Sequence, residues 1–142
     1  PPDAVAEVRL LRHQREGLFT AVLFGAGDHR TPTEHRPPPA PLRVGAKLRL
    51  GQRDPRSGSG DALTAVVEEV SAQHPRLCSL RFQGVTGAAL WAALYRSGRP
   101  VQYAYLRGPL SLWHVQTAYA SRPWCAEIPS AGARWSGACS SR

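Results

Sequence analysis

AVAEVRLLRHQREGLFTAVLFGAG, residues 4 to 27, decides the fold. Its opening part sets Ala6, Val8 and Leu10 against Glu7, Arg9 and Leu11, a period of two that gives a β-strand one apolar face. Arg15-Glu16-Gly17 then supplies a turn. Leu18 to Phe24, LFTAVLF, is dense in β-branched and aromatic residues and ends at Gly25-Ala26-Gly27, so the two runs read as an antiparallel hairpin. An isolated hairpin is marginal in water, so further strands are expected downstream. Three are present. VGAKLRLG alternates through Ala46, Leu48 and Leu50, ALTAVVEEV has a β-branched centre, and RLCSLRF places Leu77, Ser79 and Arg81 on one face and Cys78, Leu80 and Phe82 on the other. The tract QRDPRSGSGD between the first two of these is strongly turn-forming. Five short strands with turn signals between them predict a small antiparallel β-barrel or sandwich over residues 1–84, in a chain that is mainly β with some α+β character.

Thr31 to Pro41, TPTEHRPPPAP, carries five prolines in eleven residues, which removes amide donors and favours extended polyproline II backbone. It reads as a long surface loop, either a stiff connector or a docking arm that presents Arg30, His35 and Arg36 to a phosphate backbone. The character changes at Gly84. Thr86 can cap a helix running through Ala88, Leu90, Trp91, Leu94 and Tyr95, and Gly98 with Pro100 stops it. Its apolar stripe reads as packing. VQYAYL, a second possible helix in SLWHVQTAYA capped by Ser111, and AEIPSAG follow. Residues 85–142 therefore read as part of an α/β domain, and the patternless ARWSGACSSR suggests an interior piece of a larger protein.

Composition narrows the function classes. The formal net charge is +8, and residues 81 to 142 hold seven arginines against the single acid Glu127. Arginine outnumbers lysine seventeen to one, and its planar fork suits bidentate contacts to phosphate, although a GC-rich genome produces the same bias. Cys78, Cys125 and Cys139 are odd in number and widely spaced, which fits reduced thiols in a cytoplasmic setting better than a disulfide framework or a zinc site. His13, His29, His35, His74 and His114 lack the spacing that pairs ligands on one helix face, so no metal is expected. No run approaches the roughly 18 apolar residues of a membrane helix. Gly58-Ser59-Gly60 and Gly25-Ala26-Gly27 begin like dinucleotide loops, but Leu63 and Arg30 stand where a sixth-position glycine or alanine is required. A phosphate-binding lysine loop and a GxSxG serine elbow are both absent from the sequence.

One long stretch carries more. Gly98-Arg99-Pro100, Tyr103-Ala104-Tyr105, Pro109-Leu110, Gln116-Thr117, Tyr119-Ala120, Pro123, Ala126-Glu127 and Pro129-Ser130-Ala131-Gly132 follow one another in an order that resembles the S-adenosylmethionine:tRNA ribosyltransferase-isomerase family, known as QueA. FGAGDHRTPTEHRPPP also resembles that family's insert in a divergent branch, so the likeness spans most of residues 5 to 135. The resemblance implies an α/β domain interrupted by an inserted β-barrel. It also implies queuosine biosynthesis: transfer and isomerisation of the ribosyl part of S-adenosylmethionine onto 7-aminomethyl-7-deazaguanine in tRNA, giving epoxyqueuosine without a metal. The partners implied are tRNA and S-adenosylmethionine, with the protein itself a monomer.

A site that holds a cationic sulfonium beside a modified base uses aromatic faces, amide donors and close backbone approach. On this likeness Gln116 and Thr117 bond the base or ribose, Tyr119 stacks, Glu127 faces the sulfonium charge, and Pro129, Ser130, Ala131 and Gly132 bring backbone amides to the ligand. A helix end at Gln116-Thr117, a core tyrosine and a plain turn at Pro129 to Gly132 are the structural alternatives. Arg30, Arg36, Arg99, Arg107 and Arg122 are the candidate RNA contacts. Trp124-Cys125 replaces the glycine-serine pair that commonly precedes Ala-Glu in the family, and the residues after Gly132 leave its pattern. A fragment without the family's flanking segments is expected to lack turnover. The rival reading is a basic β-module that binds RNA without chemistry. A third is an interaction domain that engages a partner protein through its proline-rich loop.

Overall fold

A computed structural model describes residues 6–28, 30–51, 62–101, 105, 106, 108 and 110. Five strands, β1 (Glu7–Arg15), β2 (Leu18–Phe24), β3 (Lys47–Leu50), β4 (Leu63–Val70) and β5 (Leu77–Gln83), are followed by one helix, α1 (Gly87–Ser97). The strands form a single antiparallel sheet in the order β1-β2-β5-β4-β3. It is not the closed barrel expected from strand number. β1 and β3 are the two edges and do not pair, and closure requires the edge strands to meet. What covers one face instead is α1.

Register sorts the side chains. Phe19 lies opposite Leu80, which lies opposite Val67, and Ala21 lies opposite Leu10 on one side and Cys78 on the other. These residues, with Leu23, Leu63, Ala65 and Phe82, make the buried face. α1 lays Leu90 and Ala93 into the same cluster, with Trp91 and Leu94 packed at its margin. The helix thus shares the strands' core although it lies beyond Gly84 in sequence. Thr86 stands at its N-cap in extended conformation, and the Gly98 N–H closes it on the Leu94 carbonyl at 2.7 Å. Phe19 meets Phe82 and Trp91 edge to face at 5.5 and 5.4 Å between centroids, a geometry that adds about 0.5–1.5 kcal/mol per pair beyond burial. Burial pushes the Cys78 thiol up to about 11, so this cysteine acts as a small apolar side chain.

Strict alternation fails on β1, and the backbone corrects it. From Leu10 on the core face, a period of two would drive Arg12 and Gln14 into the core and turn His13 out. Two irregularities, between Leu10 and Arg12 and between His13 and Arg15, absorb one extra residue each. His13 consequently sits opposite Phe19 on the core side, its ring 4.8 Å from that of Phe19 and 5.4 Å from that of Trp91, while Arg12 lies opposite Thr20 on the outer face. A third bulge between Val67 and Glu69 does the same on β4, so that Glu69 faces Ser79.

The connection from β2 to β3 must pass β5 and β4, about 14 Å at the usual strand spacing. The proline-rich segment does this by folding back on the end of β2. A short 3-10 turn, Thr33–His35, interrupts the extended backbone expected there, and the Gly25 N–H donates to the Pro37 carbonyl at 2.9 Å. A Cβ on Gly25 would stand 2.6 Å from the Pro38 carbonyl oxygen. Gly25→Ala is therefore expected to loosen the loop at a cost of about 1–3 kcal/mol, the range for overpacking. Faster proteolysis between Ala26 and Pro41 in that variant is the measurement; unchanged cleavage would show that the loop is not held here.

Candidate nucleic-acid interface on the outer sheet face

The outer face has two ends with different fates. At the Glu7 end it is closed by the returning loop. Arg36 is 2% exposed, and its guanidinium donates to the Glu7 carboxylate at 2.7 Å, to the Gly25 carbonyl at 2.9 Å and to the Asp28 carbonyl at 3.2 Å. Its Nε–H lies against Gly27 and has no acceptor among the described residues. A Cβ on Gly27, whose φ is 151°, would stand 2.5 Å from that nitrogen, so glycine leaves the room the side chain uses. Arg9 donates to Glu7 at 2.6 Å and to the Thr33 hydroxyl at 3.1 Å. Arg9, Arg36 and Arg76 surround the Phe24 ring at 4.5, 6.0 and 5.3 Å from its centroid. Burial pushes the Glu7 carboxyl up, but hydrogen bonds from Arg9 and Arg36 and their charges outweigh it and hold the group below its ordinary value.

At the other end the face is open. Two cross-sheet rows can be read from the register: Arg12, Thr20, Ser79 and Glu69 in one, Arg15, Leu18, Arg81, Val66 and Lys47 in the next. Between them lies a shallow depression of about 560 Å³ lined by Gln14, Arg15, Leu18, Glu68, Glu69 and Ser79. The Gln14 side-chain amide donates to Thr20 at 2.8 Å and to Ser79 at 3.2 Å, which ties β1 to β2 and β5 across the floor. Arg81 pairs with Glu68 through two nitrogens. That hydrogen bond lowers the Glu68 carboxyl; desolvation opposes it, and the charges of Arg81 and Arg15 add to the lowering. Arg15, Arg81, Glu68 and Glu69 sum to zero charge, while exposed Arg12 and Lys47 on the same rows add positive charge at the rim.

The residues expected from sequence are distributed unevenly. Arg30 is exposed, its backbone N–H bonded to the Asp28 carboxylate at 2.8 Å, and His35 is exposed. Arg36 does not belong to a docking arm: the loop turns it inward to neutralise Glu7, and the desolvated guanidinium is occupied there. Arg99 is exposed just beyond α1. Arg107, Arg122, Gln116, Thr117, Tyr119, Glu127, Pro129, Ser130, Ala131 and Gly132 lie outside the described residues. Sequence reasoning missed Gln14, Arg15, Glu69 and Ser79. The signal was present as doubled polar residues, Gln14-Arg15 and Glu68-Glu69, which break alternation where a bulge sets two polar side chains on one face.

Among the described residues no group of three or more His, Cys, Asp and Glu is placed to hold a metal ion, and no helix is long and apolar enough to cross a membrane. Comparison with family models, curated proteins and solved structures finds no match to this chain.

Proposed function

We propose that the chain is a piece of a cytoplasmic S-adenosylmethionine-dependent tRNA ribosyltransferase-isomerase of the queuosine route. In this reading the sheet is the tRNA-docking module, and residues 98–132 contribute to the site for S-adenosylmethionine and 7-aminomethyl-7-deazaguanine. The order of motifs from Gly98 to Gly132 carries the reading. Support for the docking role comes from the outer face, where Arg12, Arg15, Lys47 and Arg49 are exposed on one side of a sheet whose other side is packed. Guanidinium and ammonium groups on an open face attract a polyanion through charge neutralisation. Gln116, Thr117, Tyr119 and Glu127 would then hold cofactor and base, and no metal enters.

The test is isothermal titration with S-adenosylmethionine, with and without tRNA, of this chain and of a version extended at both ends to family length. Saturable binding by the extended protein is expected, with ribosyl transfer to tRNA by that protein and no turnover by the short chain. Absence of S-adenosylmethionine binding by both would overturn the enzyme reading. The second reading, RNA binding without chemistry, rests on the same exposed cations. It predicts tRNA binding by both proteins without S-adenosylmethionine affinity, and a log-log salt slope of about −0.7 for each single-strand phosphate contacted.

A further inference from the structure

We infer that the depression between the bulges of β1 and β4 is a nucleobase site that takes an unpaired guanine of a single-stranded RNA segment. This deepens the RNA-docking role proposed above and rests on it. The two strands bring unlike chemistry to facing walls. β1 contributes the Arg15 guanidinium, a donor, and β4 contributes the Glu69 carboxylate, an acceptor, with Leu18 and Ser79 of the two central strands between them. Both Glu68 and Glu69 are exposed, but Glu68 is engaged by Arg81, which leaves Glu69 as the carboxylate this wall offers to a ligand.

Guanine matches that polarity. Its O6 accepts hydrogen bonds and its N2 amino group donates them, with the N1–H beside it. A carboxylate satisfies N1–H and N2–H together, and a guanidinium satisfies O6. Adenine offers no donor pair of that kind, and uracil lacks the amino group.

Charge distribution decides between base and phosphate as the occupant. The lining sets one cation, Arg15, against two carboxylates, Glu68 and Glu69, the first of them paired with Arg81 outside it, so it gives no preference to an anion, whereas a neutral base with a polar edge loses nothing to it. Phosphates are drawn to the rim, where Arg12 ends one row and Lys47 the other. Single-stranded RNA is read in this manner, by bases splayed from the strand and bonded on their Watson–Crick edges. The bulges explain why the site exists on this sheet. Without them Gln14 would point to the core, and Glu68 and Glu69 would lie on opposite faces.

The experiment is fluorescence anisotropy of this chain with labelled eight-nucleotide RNAs: all uridine, and uridine with one central guanosine, inosine or adenosine. The guanosine oligomer is expected to bind about tenfold tighter than the other three, the usual discrimination of a bidentate base contact. Inosine lacks only the N2 amino group, so its weaker binding assigns that group to the carboxylate. Glu69→Gln should remove the guanosine preference while leaving the all-uridine affinity equal or slightly raised. Arg15→Gln, on the opposite wall, should also remove the preference and lower every affinity together. Equal binding of the four oligomers, with clear salt dependence, would overturn the base site and leave RNA docking standing. Binding of none at low salt would overturn both.

Discussion

Leu80→Ala is expected to lower stability by about 3–4 kcal/mol, the upper part of the range for a buried leucine. Leu80 is 0% exposed at the centre of β5, flanked by Phe19 on β2 and Val67 on β4, with α1 over the same face. Central strands and a helix enclose it, so the site has little freedom to collapse onto the space that the three lost carbons leave. The loss should appear as a lower urea midpoint with an unchanged slope. Such a loss is a large part of the whole stability of a domain this size. A loss under about 1 kcal/mol would mean that β2, β4 and β5 do not share one packed core.

Glu7→Gln is the second large effect, and it depends on pH. At neutral pH it is expected to cost about 3 kcal/mol, because it leaves Arg36 charged and almost fully buried without its carboxylate. The wild-type pKa of Glu7 is lowered in the folded protein, so its contribution is fully present above the ordinary carboxylate value of 4.5. It is lost as pH falls from there through the depressed value, where the folded carboxylate takes up its proton. The melting temperatures of wild type and Glu7→Gln should therefore stand apart at pH 7 and converge on the acid side. Parallel curves across that window would show that Glu7 does not titrate against Arg36. Arg76 does not substitute for the pair, since its guanidinium donates to the Arg36 carbonyl and packs on Phe24.

The elements were legible where local chemistry is decisive. β2 runs from Leu18 to Phe24 as its β-branched and aromatic content indicates, Cys78, Leu80 and Phe82 occupy the buried face of β5, and α1 lies between Thr86 and Gly98. Sheet closure was not legible, because it depends on whether β1 and β3 meet, and no short-range pattern encodes that meeting. The burial of Arg36 was hidden for a related reason. Arginine in a proline-rich loop reads as solvent-facing until its carboxylate, 29 positions earlier in the chain, is brought alongside by the fold. The depression on the outer face was half-visible: the doubled polar residues were on the page, but only strand pairing puts Gln14-Arg15 and Glu68-Glu69 around one hollow. The residues assigned to S-adenosylmethionine lie outside the described part, so their assignment rests on motif order.

The bulges of β1 have one more effect, on how copies of the chain treat each other. An edge strand with a regular row of unpaired amides and carbonyls is a template on which another chain can add a strand. β1, nine residues long, is the longer of the two edges, yet its ladder is broken twice, at Leu11 and Gln14, and it carries Arg9, Arg12 and Arg15. The other edge, β3, spans only four residues and carries Lys47 and Arg49. Two such strands brought side by side would set like charges against each other and find their amides out of step. Growth of the sheet from molecule to molecule, the first step toward a fibre, is thus obstructed at both of its ends.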